Sequence, residues 1–153
     1  MKQAILLLLL ILASPAMGAQ SVSGLETDNY KYVAVHVVVE LAGDASKIGL
    51  TEDSVRTHVE SRLRSAGLTP GDARLYGTWL YVNVRTGGTV YLVDVAYDRQ
   101  VTFEARGQHL GTVGVVWHRN VVGTTGGSHA YIIRGLDQLL DAFLNDYLRA
   151  NQK

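Results

Sequence analysis

Five histidines and fourteen carboxylic side chains are the groups in this sequence that could carry acid–base or metal chemistry, because cysteine is absent. No two histidines show the H-x₃₋₅-H or H-E-x-x-H spacing that brings two imidazole rings to one metal ion. The sequence therefore predicts neither a metal site nor a cofactor. The histidines are His36, His58, His109, His118 and His129.

One histidine is predicted to face a carboxylate across two strands. If Phe103 lies opposite Val113 in a hairpin, His118 lies opposite Asp98 on the outward side of the sheet. Such a pair can transfer a proton during catalysis. A cross-strand pair of this kind more often only adds modestly to stability. No nucleophile or oxyanion-binding group accompanies it, so a structural role is favoured over catalysis.

A glycine-rich segment, residues 123–127, precedes the last predicted helix. Free backbone N–H groups at a helix N-terminus can bind an anion, and Gly126, Gly127 and Ser128 are the candidates here. No lysine follows as in a P-loop, and the dinucleotide-binding fingerprint is also absent. An ordinary loop in which Ser128 caps the helix is therefore the favoured interpretation.

Aromatic side chains are predicted to cluster on the outward face of the sheet. Clustered aromatic residues on an open surface suggest a contact site for protein or glycan. The alternative is that the N-terminal segment or the glycine-rich loop covers part of the cluster. The candidate binding residues are His36, Trp79, Tyr81, Asp98 and His118, and Tyr32, Leu92 and Val116 are expected on the same face.

Periodicity predicts the elements that position these side chains. Alternating apolar residues indicate strands, and apolar residues at helical spacing indicate two helices, capped by Thr51 and Ser128. The long strand beginning at residue 89 is expected to bend or bulge near Asp98. The strands are predicted at residues 30–41, 75–85, 89–105 and 112–122, and the helices at 51–66 and 128–149.

Two turns set the predicted strand register. A two-residue Gly87-Gly88 turn places Thr86 opposite Thr89 and collects the apolar side chains on one face. A second turn is predicted around residues 107–109. Val113, Val115 and Trp117 are then expected to point into the core.

These elements predict an α+β fold: a two-layer sandwich in the order β-α-β-β-β-α. A mainly antiparallel four-stranded sheet carries two helices on one face, because each helix needs an apolar surface to cover. The position of the first strand in the sheet stays open. The order of elements resembles that of small envelope domains associated with bacterial outer-membrane secretion and assembly machines, in architecture alone.

The N-terminus has the order of a secretory signal peptide. Lys2 is followed by an apolar run over residues 4–13 and then by small residues up to Gly18. The run is about 10 residues long, whereas a membrane-spanning helix needs about 20. We expect residues 1–18 to be removed, with cleavage after Ala19 as the alternative. Residues 19–29 are expected to be a flexible lead-in and residues 30–150 a single α+β domain.

Composition narrows the compartment and the partners. The absence of cysteine excludes disulfides and a lipid-modified cysteine at the cleavage site. The bacterial periplasm is therefore the expected location, with an extracellular location as the alternative. The formal net charge is zero, and no basic block indicates nucleic-acid binding.

Together these features predict an exported, non-enzymatic module that binds an envelope protein or assembles with itself. One alternative is a small exported enzyme or ligand-binding protein, with a site near residues 123–128 and the His118/Asp98 pair. Another alternative is glycan binding through Trp79 and Tyr81.

Overall fold

The described residues of this chain form a mixed five-stranded β-sheet with two helices packed on one face, as seen in a computed structural model. The structure describes residues 24–41, 48–71, 77–126 and 128–152, so the predicted signal peptide lies outside them. None of the helices in these ranges is long and apolar enough to cross a bilayer. The elements are β1 (Tyr32–Leu41), α1 (Glu52–Ser65), β2 (Thr69–Gly71), β3 (Thr78–Gly87), β4 (Val90–Ala105), β5 (Gln108–Thr124) and α2 (His129–Asn151).

The strand order is β2-β1-β3-β4-β5. β1 is parallel to both neighbours, whereas β3, β4 and β5 form an antiparallel meander. This confirms the α+β class, but the prediction of a four-stranded, mainly antiparallel sheet is wrong in detail. β1 and β2 are parallel because α1 connects them in a crossover. β2 escaped prediction because it has three residues centred on Pro70, a residue that suits an edge strand.

Both helices begin at the predicted N-caps. The Thr51 side chain accepts from the Ser54 backbone N–H at 3.1 Å, and the Ser54 hydroxyl accepts from the Thr51 N–H at 2.9 Å. This reciprocal pair satisfies two N–H groups that the helix leaves free. The Ser128 side chain accepts from the Ala130 N–H at 3.2 Å. Gly67 ends the first helix with a φ of +79°, a conformation that glycine adopts without strain.

The first hairpin turns at Gly88-Thr89, one residue later than predicted. Gly88 has a φ of +63°, which fits the first central position of a type II′ turn. The register is therefore two residues away from the prediction, and Thr86 lies opposite Tyr91. A shift of two residues keeps each side chain on its predicted face. For this reason the apolar side chains lie on the predicted inner face, although their predicted partners across the hairpin are wrong.

The second hairpin contains the predicted irregularity. Its turn, Arg106-Gly107, has φ values of +54° and +72°, the pattern of a type I′ turn. The register shifts between Tyr97 and Asp98, where Val116 is the extra residue on β5. This confirms a bulge next to Asp98.

The bulge changes which residues of β5 face the core. Trp117 is buried, at 7% exposure, as predicted. Val113 and Val115 precede the extra residue and therefore point to the other face, where they are 50% and 62% exposed. Their predicted place in the core is wrong, because one inserted residue reverses the alternation of a strand.

The core lies between the sheet and the two helices. Apolar side chains of α1 and α2 join those of the inner sheet face in one cluster. The largest fully buried side chains include Tyr97, Phe143 and Tyr147, whose rings pack together. Across the helices, His58 Nε2 lies 2.7 Å from Asp137 Oδ1, and Arg62 pairs with Asp141.

The predicted lead-in is packed over its described part. Leu25 is fully buried, and the Thr27 N–H donates to the Asn151 side chain at 2.9 Å. We call residues 24–31 the N-terminal strap, because they lie across the C-terminal end of α2. These contacts hold residues 24–29 of the predicted lead-in against the rest of the fold.

Candidate functional site

The outer face of the sheet, opposite the helices, carries a shallow depression around Ala96. Ala96 is small, and its neighbours on β3 and β5 have larger side chains, so the surface dips at this position. Its partner on β3 is Tyr81, and its partner on β5 is His118. The depression has a volume of about 470 Å³ and is lined by Tyr81, Asp94, Ala96, Asp98, Val115 and His118.

His118 pairs with a different carboxylate from the predicted one. Its Nε2 atom lies 2.5 Å from Oδ1 of Asp94. The prediction of Asp98 as its cross-strand neighbour is wrong, because the bulge and the earlier turn place Val115 opposite Asp98. Sequence reasoning does not identify Asp94 as the partner of His118. Asp94 is an even number of residues from Asp98 on β4, so strand alternation places both carboxylates on the same face.

Asp98 sits at the other side of the depression. Its Oδ1 atom is buried and has no hydrogen-bond partner among the described residues. Burial raises the pKa of Asp98, a hydrogen bond from the Trp79 side chain opposes this, and the Asp94 charge adds to the increase. Asp98 is therefore a carboxylate whose negative charge is only partly compensated.

The aromatic residues form the wall toward β1. The rings of His36 and Tyr81 stack with centroids 5.5 Å apart and an interplanar angle of 14°. Trp79 is half-buried beside Asp98, its partner on β4. All five predicted binding residues thus lie on the outer face, in or next to the depression. Trp79 and Tyr81 do not form an open flat platform, because each already has a neighbour on this face.

Asn83 is a second residue that sequence reasoning missed. It lies directly opposite Asp94 on the same face. The side chain is 2% exposed, and its Oδ1 atom has no hydrogen-bond partner among the described residues. Buried polar atoms are nearly always satisfied, so this orphaned oxygen marks the region as unusual.

The depression is suited to holding a ligand. Asp94 and His118 can pass a proton between them, and Asp98 can act as an acceptor. The six lining residues include no serine, threonine, cysteine or lysine, so a nucleophile there would have to be a carboxylate, the imidazole or the phenol. Within the described ranges, no three potential metal-ligating side chains come together.

The glycine-rich loop does not join this depression. Gly123 is five residues beyond His118 on β5, about 16 Å along an extended strand. Ser128 caps α2, and its N–H donates to the Thr125 oxygen at 2.8 Å. Gly126 is described, whereas Gly127, the other anion-binding candidate, lies outside the described residues.

Gly123 has a packing role instead. It lies opposite Tyr91, and a Cβ atom on Gly123 would be 2.7 Å from Cζ of that ring. On its other side, the Tyr91 hydroxyl would be 3.2 Å from a Cβ atom on Gly135 of α2. The tyrosine ring therefore fills a slot that exists because both positions lack side chains.

We expect Gly123→Ala to destabilise the protein by about 1–3 kcal/mol, because the confined Tyr91 ring cannot move away from the new methyl group. Gly111→Ala on the same strand is the matched control. A Cβ there meets nothing closer than 3.8 Å, so its effect should stay within about 0.5 kcal/mol. Urea unfolding of both variants measures the difference. Equal stabilities would show that Tyr91 is not confined.

Within the described ranges β5 is an edge strand of the sheet, and its outer edge is the second notable surface. Of the nine exposed large apolar side chains in the described residues, six lie on β4 and β5. Beyond Arg99, which pairs with the first residue of β3, the two strands continue as a two-stranded ribbon. The six are Val90, Phe103, Leu110, Val113, Val115 and Val122.

Little in the composition of β5 protects this edge. Arg119 is the only Lys, Arg, Asp or Glu among its 17 residues, and proline is absent. Charges, prolines and bulges are the usual means of preventing edge-to-edge pairing. Of these, β5 has only the charge of Arg119 and the bulge at Val116.

Comparison with known proteins adds no assignment to either surface. No protein-family model matches the chain. No curated protein matches it either.

Proposed function

We propose that this protein is an exported interaction module that assembles with a second copy of itself through the β5 edge. The observation that carries the proposal is the concentration of exposed apolar side chains along an edge strand with a single charged residue. The N–H and C=O groups along a free edge find their natural partner in another strand.

The edge is long enough to support a dimer. Its 17 residues extend over about 55 Å, and a strip about 10 Å wide gives roughly 550 Å² per copy. Two copies would bury at most about 1,100 Å², just above the roughly 1,000 Å² expected of a specific interface. The exposed side chains of Phe103, Leu110 and Val113 make this interface more apolar than an average surface.

Electrostatics favour a second copy as the occupant. The full chain has 14 basic and 14 acidic residues, and removal of residues 1–18 takes away only Lys2, so the mature protein has 13 against 14 and two copies repel each other only weakly overall. In an antiparallel β5–β5 pair, Arg119 faces its own copy only if the two-fold axis passes through that residue. All other registers leave the edge free of like-charge contacts.

Export is part of the proposal. Its support is the order of charged, apolar and small residues over residues 1–18. The periplasm is the proposed compartment, and action by binding rather than by catalysis is the proposed role.

The test is sedimentation velocity of protein purified from the periplasm, over a range of concentrations. We expect the wild type to dimerise and Val113→Lys to stay monomeric, because a lysine on the ribbon opposes edge pairing. Intact mass of the same sample gives the mature N-terminus, expected at Ala19.

Val90→Lys is the matched control. Val90 is 47% exposed, close to the 50% of Val113, but Val90 is paired on both sides, with Gly87 of β3 and Thr124 of β5. This variant should dimerise like the wild type. A wild type that stays monomeric at every concentration contradicts self-assembly, and equal loss in both variants contradicts the β5 edge.

A further inference from the structure

We propose that the outer-face depression binds a cationic nitrogen group, a guanidinium or an ammonium, carried by a ligand or a partner. This site is separate from the β5 edge pairing proposed above. It follows from the acceptors that surround Ala96, from the charges there and from the shape of the surface.

The first argument is an excess of acceptors. Oδ1 of Asp98 and Oδ1 of Asn83 are both buried without a donor among the described residues. Asn83 is directly opposite Asp94, so its side chain leaves the sheet beside the depression. A buried acceptor without a donor costs free energy, and because Asp98 lines the depression, a ligand rich in donors would offset part of this cost there.

The second argument is uncompensated negative charge. Among the described residues, no lysine or arginine pairs with Asp94 or Asp98, and the one ion-pair partner is His118 on Asp94. The other ion pairs of the described residues lie outside the depression. On the outer face, Arg85 pairs with Glu40. The two aspartates therefore attract a cation into the depression.

The third argument is the shape and the aromatic wall. The floor at Ala96 leaves room above the sheet, and Tyr81 borders that room. The face of an aromatic ring attracts a cation electrostatically, and an arginine plane also stacks on it. Guanidinium and ammonium groups donate without accepting, which matches a site that has acceptors in excess. A sugar hydroxyl needs both donors and acceptors and fits less well.

The experiment is an NMR titration of the ¹⁵N-labelled protein with Nα-acetyl-arginine methylamide. The neutral citrulline analogue has the same shape without the charge and is the matched probe. We expect the arginine probe to shift the amide signals of Asp94, Ala96 and Asp98, and the citrulline probe to bind about tenfold more weakly. Methylguanidinium distinguishes the sources. If methylguanidinium binds as tightly as the arginine probe, the natural ligand is a free small cation. If methylguanidinium binds more weakly than the arginine probe, the natural ligand is the side chain of a protein partner.

Two variants test the site independently. Asp98→Asn removes a charge at nearly constant shape and should weaken the arginine probe about tenfold. Ala96→Leu keeps both carboxylates but fills the depression, and should abolish the shifts. Glu104→Gln removes a charge from the exposed ribbon on the same face and should leave binding unchanged.

Several outcomes overturn the proposal. Equal binding of the arginine and citrulline probes would show that charge is not recognised. Unchanged binding in Ala96→Leu, folded by its spectrum, would place the probe elsewhere. Shifts of the same amides by neutral chitotriose, without shifts by the arginine probe, would assign a glycan site. None of these readouts depends on oligomer mass, so failure here is distinguishable from failure of β5 pairing.

Discussion

Phe143→Ala is expected to lower the free energy of unfolding by about 3–5 kcal/mol, the largest effect of any substitution proposed for this protein. Phe143 is fully buried on α2. Its ring centroid lies 5.4 Å from Trp117, 5.5 Å from Tyr97 and 5.2 Å from Tyr147. Truncation removes these contacts and leaves a cavity between the helix and the sheet. Since domains are stable by only about 5–15 kcal/mol, the loss is a large share of the total.

The control for this prediction is the only other phenylalanine of the chain. Phe103 lies on the ribbon and is 48% exposed. Phe103→Ala should change the free energy of unfolding by at most about 0.5 kcal/mol, measured by urea unfolding at a concentration that keeps the protein monomeric. A loss below about 1 kcal/mol for Phe143→Ala would mean that the aromatic cluster does not anchor α2.

Local patterns in the sequence suffice to predict the layers of this fold. α2 was predicted because its apolar residues recur at helical spacing over 23 residues, and all of its buried positions follow that spacing. The first hairpin shows why the face on which a side chain lies is easier to predict than its partner on the neighbouring strand. Moving its turn by one residue changed every partner, but the alternation kept Val82 and Val84 on the core side.

The sequence predicts which face of the sheet carries the candidate site. It does not predict which side chains of that face are neighbours. His36, Trp79, Tyr81, Asp98 and His118 share the outer face, as strand alternation requires. The carboxylate beside His118 depends on one extra residue, Val116, whose position no local pattern specifies. The depression itself depends on the small size of Ala96 relative to its neighbours on two other strands. The neighbours of Ala96 on the other strands can be identified only when the strand register is known.

Contacts between distant segments account for the remaining differences. β2 and the N-terminal strap have no periodic pattern, so their sequences resemble loops. The strap is ordered by the last residue of α2. Asn151 Nδ2 donates to the Leu25 oxygen at 3.0 Å and to the Tyr147 oxygen at 2.9 Å. An asparagine near a chain end gives no hint of this role.

Asn151→Ala is therefore expected to release the strap and to lower the free energy of unfolding by about 2–3 kcal/mol. The change leaves the Thr27 N–H and the Leu25 oxygen without their partner. Hydrogen exchange of the Thr27 amide measures the local effect, and urea unfolding measures the global one. We expect exchange at Thr27 to accelerate far more than exchange in β3, because the strap can open without the sheet.

Asn145→Ala on the same helix separates this effect from helix propensity. Asn145 is exposed, and alanine is the better helix former, so this variant should be as stable as the wild type or slightly more stable. The strap keeps other attachments in Asn151→Ala. The Tyr147 hydroxyl donates to the Tyr30 oxygen at 2.9 Å, and burial raises the pKa of Tyr147, which keeps this donor protonated. Arg99 Nη1 also donates to the Glu26 oxygen at 3.1 Å. If Thr27 stays protected in Asn151→Ala, these contacts and the burial of Leu25 hold the strap, and Asn151 only completes it.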